Sequence, residues 1–271
     1  MVSPRKKAKL LAAPYSIWAA GFIIIPLIMV LYYGFTAANG SITGANVAAI
    51  FSPVNLKALM LSILFSLVST LLCLIIAYPV AVILAGFGRG KSGFLSLIFI
   101  LPMWMNSLLR TIAWQNLLER KGVINAFLSS VNLPELYIIN KPPAIILGMV
   151  YDFLPFMILP IYNAVSKIDP DLIHAAKDLG ANGFQTFTKV LFPLSLPGVI
   201  SGITMVFVPA LTTFVISDIL GGGKILLIGN VIEQLFTQDS DWNAGAGLSV
   251  VLMIFIVISM YFTEKYDGGE K

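Results

Sequence analysis

One acid stands well inside an apolar stretch: Asp152, flanked by Tyr151 and Phe153, with Phe156 one turn further on. A charged group at membrane depth is costly and usually faces a pathway or a partner. Aromatic faces attract ammonium groups, more strongly when water is excluded. A cation crossing a bilayer would need acids and aromatic rings along its path. Asp152, Tyr151, Phe153 and Phe156 are therefore candidate pathway residues. Trp104 and Trp114, which flank the outer end of a neighbouring apolar stretch, and Asp218, which closes another, join them. Structural readings stand beside these. Asp152 could pair with Arg110, and Trp and Tyr also gather in ordinary interfacial belts.

The octapeptide Ala85-Gly86-Phe87-Gly88-Arg89-Gly90-Lys91-Ser92 satisfies a relaxed phosphate-loop pattern, A-x-x-x-x-G-K-S. A working phosphate loop joins a buried strand to a helix, so that backbone amides cradle the phosphates. Here an apolar span lies on each side and no soluble sheet is at hand. The glycines suit a tight turn instead, with Arg89 and Lys91 holding it on the cytoplasmic side. ATP is expected on a separate chain, and no cofactor in this one. A single cysteine, Cys73, and a single histidine, His174, exclude an intrachain disulfide, a cysteine metal cluster and a His-rich metal site.

The elements that must position these residues are membrane spans. Of 271 residues, 58% are hydrophobic and 11% charged, against roughly 25% charged in a soluble domain. Mean hydropathy is +0.91. The net charge of +4 reads as topology rather than as affinity for nucleic acid. Apolar runs at 10–33, 58–85, 92–109, 143–166, 190–217 and 242–263 are each long enough to cross a bilayer as a helix, which satisfies its own backbone hydrogen bonds. They predict an all-α integral membrane protein with six transmembrane helices and a single domain over 1–271. The first run exceeds a signal-peptide core and is expected to be retained. Residues 225–232 are apolar but too short to span, and read as part of a loop. Prolines 79, 102, 155, 160, 193, 197 and 209 fall within spans, which suits bent helices around a cavity.

Orientation follows from Lys and Arg. With the N-terminus cytoplasmic, the inner side holds Arg5, Lys6, Lys7, Lys9, Arg89, Lys91, Lys167, Lys177, Lys189, Lys265 and Lys271. The outer side holds the shorter set Lys57, Arg110, Arg120, Lys121, Lys141 and Lys224. Both termini are expected inside.

The inner loop 167–189 carries the clearest local signals. Asp169 suits an N-cap and Pro170 the first helical turn. Leu172, Ala175, Ala176 and Leu179 then share one helical face, and Gly180 suits the left-handed position that ends a helix. The spacing predicts a short amphipathic helix over 170–179, with a second helical stretch leading into the fifth span. Two readings fit it. It is a solvated connector, or it is a docking element whose small Ala175 and Ala176 let a cytoplasmic partner approach closely.

The run from Asp171 to Ala181, continuing to Val190-Leu191-Phe192-Pro193, resembles the signature of ABC importer permeases: E-A-A, three residues, G, nine residues, I-x-L-P. Ala175, Ala176, Gly180, Val190 and Pro193 fall in register, while His174 stands in place of the Glu and Phe192 in place of the Leu. Leu101-Pro102-Met103-Trp104-Met105-Asn106-Ser107-Leu108-Leu109-Arg110, Lys121-Gly122, Leu154-Pro155-Phe156-Met157 and Leu226-Leu227-Ile228-Gly229-Asn230-Val231-Ile232 resemble stretches in the permease subunits of spermidine/putrescine import systems. The resemblance implies a type I ABC importer permease (MetI-like) fold with a cytoplasmic coupling helix. Asp169, Pro170, Leu172, His174, Ala175, Ala176, Leu179 and Gly180 would then serve coupling to an ATPase. It also implies a sister permease subunit in a heterodimer, two copies of a cytoplasmic ABC ATPase, an extracytoplasmic substrate-binding protein, a polyamine substrate and a bacterial inner-membrane location. The alternatives are another small solute or a secondary transporter, which would need its own ion-coupling pathway.

Overall fold

The computed structural model describes residues 14–86 and 101–267. Among these residues the fold is helical, in the order α1 (Pro14–Gly34), α2 (Ala45–Ala48), α3 (Pro53–Gly86), α4 (Ser107–Leu118), α5 (Val123–Ser130), α6 (Pro142–Val165), α7 (Pro170–Asp178), α8 (Gly183–Thr212), α9 (Val215–Gly221), α10 (Ile228–Thr237) and α11 (Trp242–Asp267). Five of these, α1, α3, α6, α8 and α11, are long and apolar enough to cross a membrane. Most of the predicted third span, and the phosphate-loop-like turn beyond Gly86, lie outside the described residues. The described end of that span is a 3-10 turn, Leu101–Trp104.

Boundaries differ from the apolar runs where a cap overrides hydropathy. The second span starts at Pro53 rather than 58, because the Ser52 hydroxyl accepts the Asn55 N–H at 3.3 Å and Pro53 fits the first turn. Lys57 is thereby inside the helix. The run 92–109 does not continue as one helix to its predicted end. The Asn106 side chain accepts the Leu108 N–H at 2.9 Å and starts α4. The fifth span begins at Gly183, where Asn182 and Gln185 form a reciprocal capping box of 2.8 and 2.9 Å. It stops at Thr212 rather than 217, because Thr213 turns extended. Part of the stretch 225–232, expected as loop, opens α10.

The chain divides into two compact units. In the first (residues 14–56 and 231–255 of the described chain), the end of α1 packs against the start of α11. A Cβ on Gly34 would lie 3.2 Å from the Ala246 carbonyl oxygen, and one on Gly247 2.5 Å from Asn46 backbone. Asn46 donates to the Thr36 carbonyl at 2.9 Å, and Asn243 to the Tyr33 carbonyl at 3.2 Å. These amides satisfy acceptors that the end of α1 leaves without helical partners.

The second unit holds α3 from Lys57 onward and α4 to α9. Its core has one cluster of α3, α6 and α8 side chains around Cys73, Met157, Ile161 and Val206, and another of α3, α4, α6 and α9 around Phe65, Ile145, Met149 and Leu220. On α6 the buried residues Ala144, Ile145, Gly148, Met149, Asp152 and Pro155 recur at helical spacing, which places Asp152 on the packed stripe. Inside α3, the Ser66 and Thr70 hydroxyls donate to the Ser62 and Ser66 carbonyls at 2.8 and 2.7 Å, so these polar groups are satisfied within the helix. Between α3 and α8, the Tyr78 and Ser195 hydroxyls share a hydrogen bond of 2.6 Å.

Helices α6 and α8 meet through small residues. A Cβ on Gly198 would lie 2.5 Å from the Ala164 Cβ and 2.6 Å from the Pro160 oxygen, and one on Gly202 2.7 Å from the Met157 sulfur. Glycines four apart let membrane helices approach closely enough for van der Waals packing to hold them. Gly198→Ala is expected to cost about 1–3 kcal/mol, the usual price of overpacking. Gly21→Ala, where a Cβ meets nothing within 4 Å, should leave stability unchanged. Thermal unfolding of the two purified variants checks this. Equal melting temperatures would refute the close crossing.

Candidate functional site

The short helix of the 167–189 loop forms as its turn chemistry requires. The Asp169 carboxylate accepts the Asp171 N–H at 3.0 Å, and Pro170 occupies the first turn. At the other end Gly180 has φ +83°. Its N–H donates to the Lys177 carbonyl at 2.8 Å, and the Ala181 N–H to the Ala176 carbonyl at 3.0 Å. This pair of bonds is a Schellman motif, which closes the carbonyls a helix end would leave open.

Helix α7 buries no residue fully. Ile168 and Ile173 pack against the α3–α6–α8 core and tie the loop to the spans. Ile173 was absent from the face expected from spacing. Leu172, His174, Ala175 and Leu179 are exposed and Ala176 is half-buried. Leu179 is 89% exposed and nearby Phe184 76%.

The intramembrane acid has a different environment. Asp152 is 6% exposed and Arg110 8%. An Arg110 Nη2 lies 3.3 Å from an Asp152 carboxylate oxygen. Arg110, expected as an outer-loop charge, is inside α4 and buried. Its guanidinium also stands 5.9 Å from the centre of the Tyr151 ring. Tyr151 in turn meets Trp114 edge to face, centres 5.3 Å apart. The structure thus brings together Asp152, Tyr151 and Trp114 from the predicted set, with Arg110 at their centre. Arg110 Nε and Nη1 are buried without a hydrogen-bond partner among the described residues.

The other predicted residues sit elsewhere. Phe153 packs against both core clusters. Phe156 is exposed on the next turn of α6, and Trp104 is 81% exposed in the 3-10 turn. Asp218 is exposed on α9, and its backbone carbonyl accepts the N–H groups of Gly222 and Gly223.

A polar node near the α8–α9 break escaped the sequence reading. Asn230 is buried and donates from its amide to the Phe214 carbonyl at 3.1 Å. Its oxygen accepts the Ser217 hydroxyl at 2.5 Å and the Leu227 N–H at 3.1 Å. The Ser62 hydroxyl on α3 accepts the Ile228 N–H at 2.8 Å. Gly229 fits against the broken end, since a Cβ there would lie 2.7 Å from the Thr212 oxygen. Backbone freed by a helix break at membrane depth must find such partners. An Asn and a Gly set in an apolar run were the available signal.

Long apolar helices joined by a capped, exposed loop helix make up a multi-span helical membrane protein. Residues 40–264 match the family described as binding-protein-dependent transport system inner membrane component, and the chain belongs to that family of ABC importer permeases. It is 37% identical over 259 residues to the spermidine/putrescine transport system permease protein PotB of Haemophilus influenzae, covering 92% of this chain and 91% of that protein. Against PotB of Escherichia coli the identity is 36% over 245 residues, covering 88% and 89%. Among solved structures, a bacterial ABC transporter involved in the import of the acidic polysaccharide alginate has a chain of similar fold. The TM-score is 0.78 with 19% identity, covering 96% of each chain. A permease subunit of this family is a multi-pass inner-membrane protein and not itself catalytic. It works with an ATPase that binds the ATP and with a substrate-binding protein.

Proposed function

We propose that this chain is one of two different permease subunits in a type I ABC importer for polyamines such as spermidine and putrescine. The observation that carries the reading is similarity to PotB over about nine-tenths of both chains, at 37% identity. In this reading the chain crosses the membrane six times with both termini in the cytoplasm. The five long apolar helices support it, with the apolar stretch that precedes α4 as the sixth. The sister subunit completes the pathway, and two ATPase copies act from the cytoplasmic side.

The cycle is alternating access. A substrate-loaded binding protein docks on the outer loops. ATP-driven closure of the two ATPases pushes on α7 and its counterpart, through Leu172, Ala175, Ala176, Leu179 and the turn at Gly180. The capped helix transmits that push to the spans through Ile173 and Ile168, which pack on the core. Asp152, Tyr151 and Trp114 contribute to the cation path. Phe153 and Phe156 flank it on α6, while Trp104 and Asp218 stand at its outer mouth.

The test is ATP hydrolysis by the complete complex in nanodiscs. Binding protein loaded with spermidine or putrescine should stimulate it severalfold, and binding protein offered amino acids or sugars should not. Stimulation by a non-amine solute alone would overturn the substrate. Orientation is checked separately, in a Cys73-free background. A cysteine at Asp178 should label only from the cytoplasm and one at Asn39 only from outside. Outside labelling at Asp178 would remove the coupling role of α7.

A further inference from the structure

We propose that Arg120, Lys141 and Lys224 form a docking pocket for acidic side chains of the extracytoplasmic binding protein. The proposal rests on the orientation proposed above, which puts this end of the chain outside. The three cations come from separate segments: Arg120 follows α4, Lys141 immediately precedes α6, and Lys224 lies between α9 and α10. Together with Tyr137, Ile139 and Asn140 they line a cavity of about 440 Å³. The Arg120 guanidinium lies over the Tyr137 ring, 5.0 Å from its centre. None of the three cations forms an ion pair among the described residues. The neighbouring carboxylate, Glu135, accepts the Tyr137 hydroxyl.

The frame around the cations is preformed. Asn140 holds φ +60° and donates its N–H to the Leu220 carbonyl at 2.9 Å. Gly222, also at φ +60°, lies so close that a Cβ there would sit 2.3 Å from the Asn140 side-chain oxygen. Ile138 and Ile139 pack into the core beneath. A frame fixed before binding spares the ordering cost of making one.

Three convergent cations repel a polyamine, so this cavity is not a substrate subsite. Its chemistry selects an anion, and carboxylates and phosphates both qualify. A binding protein is the partner this family is named for, and a fixed, shaped frame suits a folded surface better than a mobile lipid headgroup. Complementary charge of this kind speeds encounter and fades with salt.

The test uses the assembled importer in nanodiscs and purified, substrate-loaded binding protein, with binding followed by interferometry at low and physiological salt. The triple variant Arg120→Gln, Lys141→Gln, Lys224→Gln keeps side-chain length and removes charge. It should bind roughly tenfold or more weakly, with a flattened salt dependence. A charge-reversed Glu triple should bind more weakly still. Full affinity in the Gln triple, with a cysteine at Lys224 labelled from outside, would overturn the pocket and leave the orientation standing. Labelling of that cysteine only from the cytoplasm would overturn the orientation itself. Unchanged binding-protein affinity, with complex stability that tracks phosphatidylglycerol against phosphatidylcholine only when the three cations are present, would make the pocket a lipid site and overturn the proposal.

Discussion

Asp152→Asn is expected to destabilise the permease by roughly 3–5 kcal/mol, the usual cost of breaking a buried ion pair from one side. Arg110 is 8% exposed and carries a guanidinium. Without the carboxylate 3.3 Å away, that charge stays at membrane depth beside the Tyr151 ring, whose attraction is far weaker than a carboxylate's. Arg110→Gln alone should also be costly, since it strands the acid. The double variant Arg110→Gln, Asp152→Asn removes both charges and should recover most of the loss, because replacing a whole buried pair is often neutral. Membrane levels of assembled complex and its thermal stability measure this. Wild-type stability in both single variants would show that the pair does not hold α4 to α6.

The double variant also separates packing from transport. If Asp152 serves the substrate path, the double variant should assemble and still fail to import polyamine, because no carboxylate remains to compensate the cation. Normal uptake by the assembled double variant would make the acid a structural partner of Arg110 alone. The pathway would then be sought in the sister subunit. A single Asp152→Asn assay cannot divide these outcomes, since loss of assembly and loss of transport both read as no uptake.

What was legible in the sequence was what is encoded within about ten residues. Asp169, Pro170 and Gly180 state a helix start and stop by side-chain and backbone chemistry that needs no tertiary context, and α7 formed between them. Apolar runs located the long helices, but caps set their ends. Ser52 and Asn182 moved two starts towards the N-terminus, and Thr213 ended α8 early. The partners of the α8–α9 break were not legible, because Ser62 and Ile228 are far apart in the chain and no period links them. Hydropathy gave Asp152 its depth without its direction. It also counted Arg110 as a loop cation, although a guanidinium inside a helix that packs on another can be buried when its partner is a carboxylate. The Gly198–Gly202 crossing was written as two glycines four apart, overshadowed by the prolines around them.

Gly180→Val is expected to abolish most coupled uptake while leaving the amount of membrane-inserted permease near normal. Gly180 has φ +83°, and a Cβ there would meet nothing within 4 Å. The penalty is therefore backbone strain, about 1–2 kcal/mol for an L-residue in left-handed geometry, and more for a β-branched one. Helix α7 has nine residues, too few to be stable by itself, and Ile173 is its inward anchor. A strain of that size can open the Schellman bonds from Gly180 and Ala181, and so displace Leu179 and Ala176 from the surface proposed above to meet the ATPase. The spans keep their apolar length and should insert as before. Gly180→Asn is the discriminating control, because Asn matches Val closely in size yet tolerates the left-handed region. Near-normal uptake with Asn and loss with Val would assign the effect to the turn. Equal loss in both would assign it to bulk against the partner. Full uptake with Val would make the glycine incidental to coupling. ATP hydrolysis measured beside uptake in the reconstituted complex completes the test: with Val, hydrolysis should no longer rise when loaded binding protein is added.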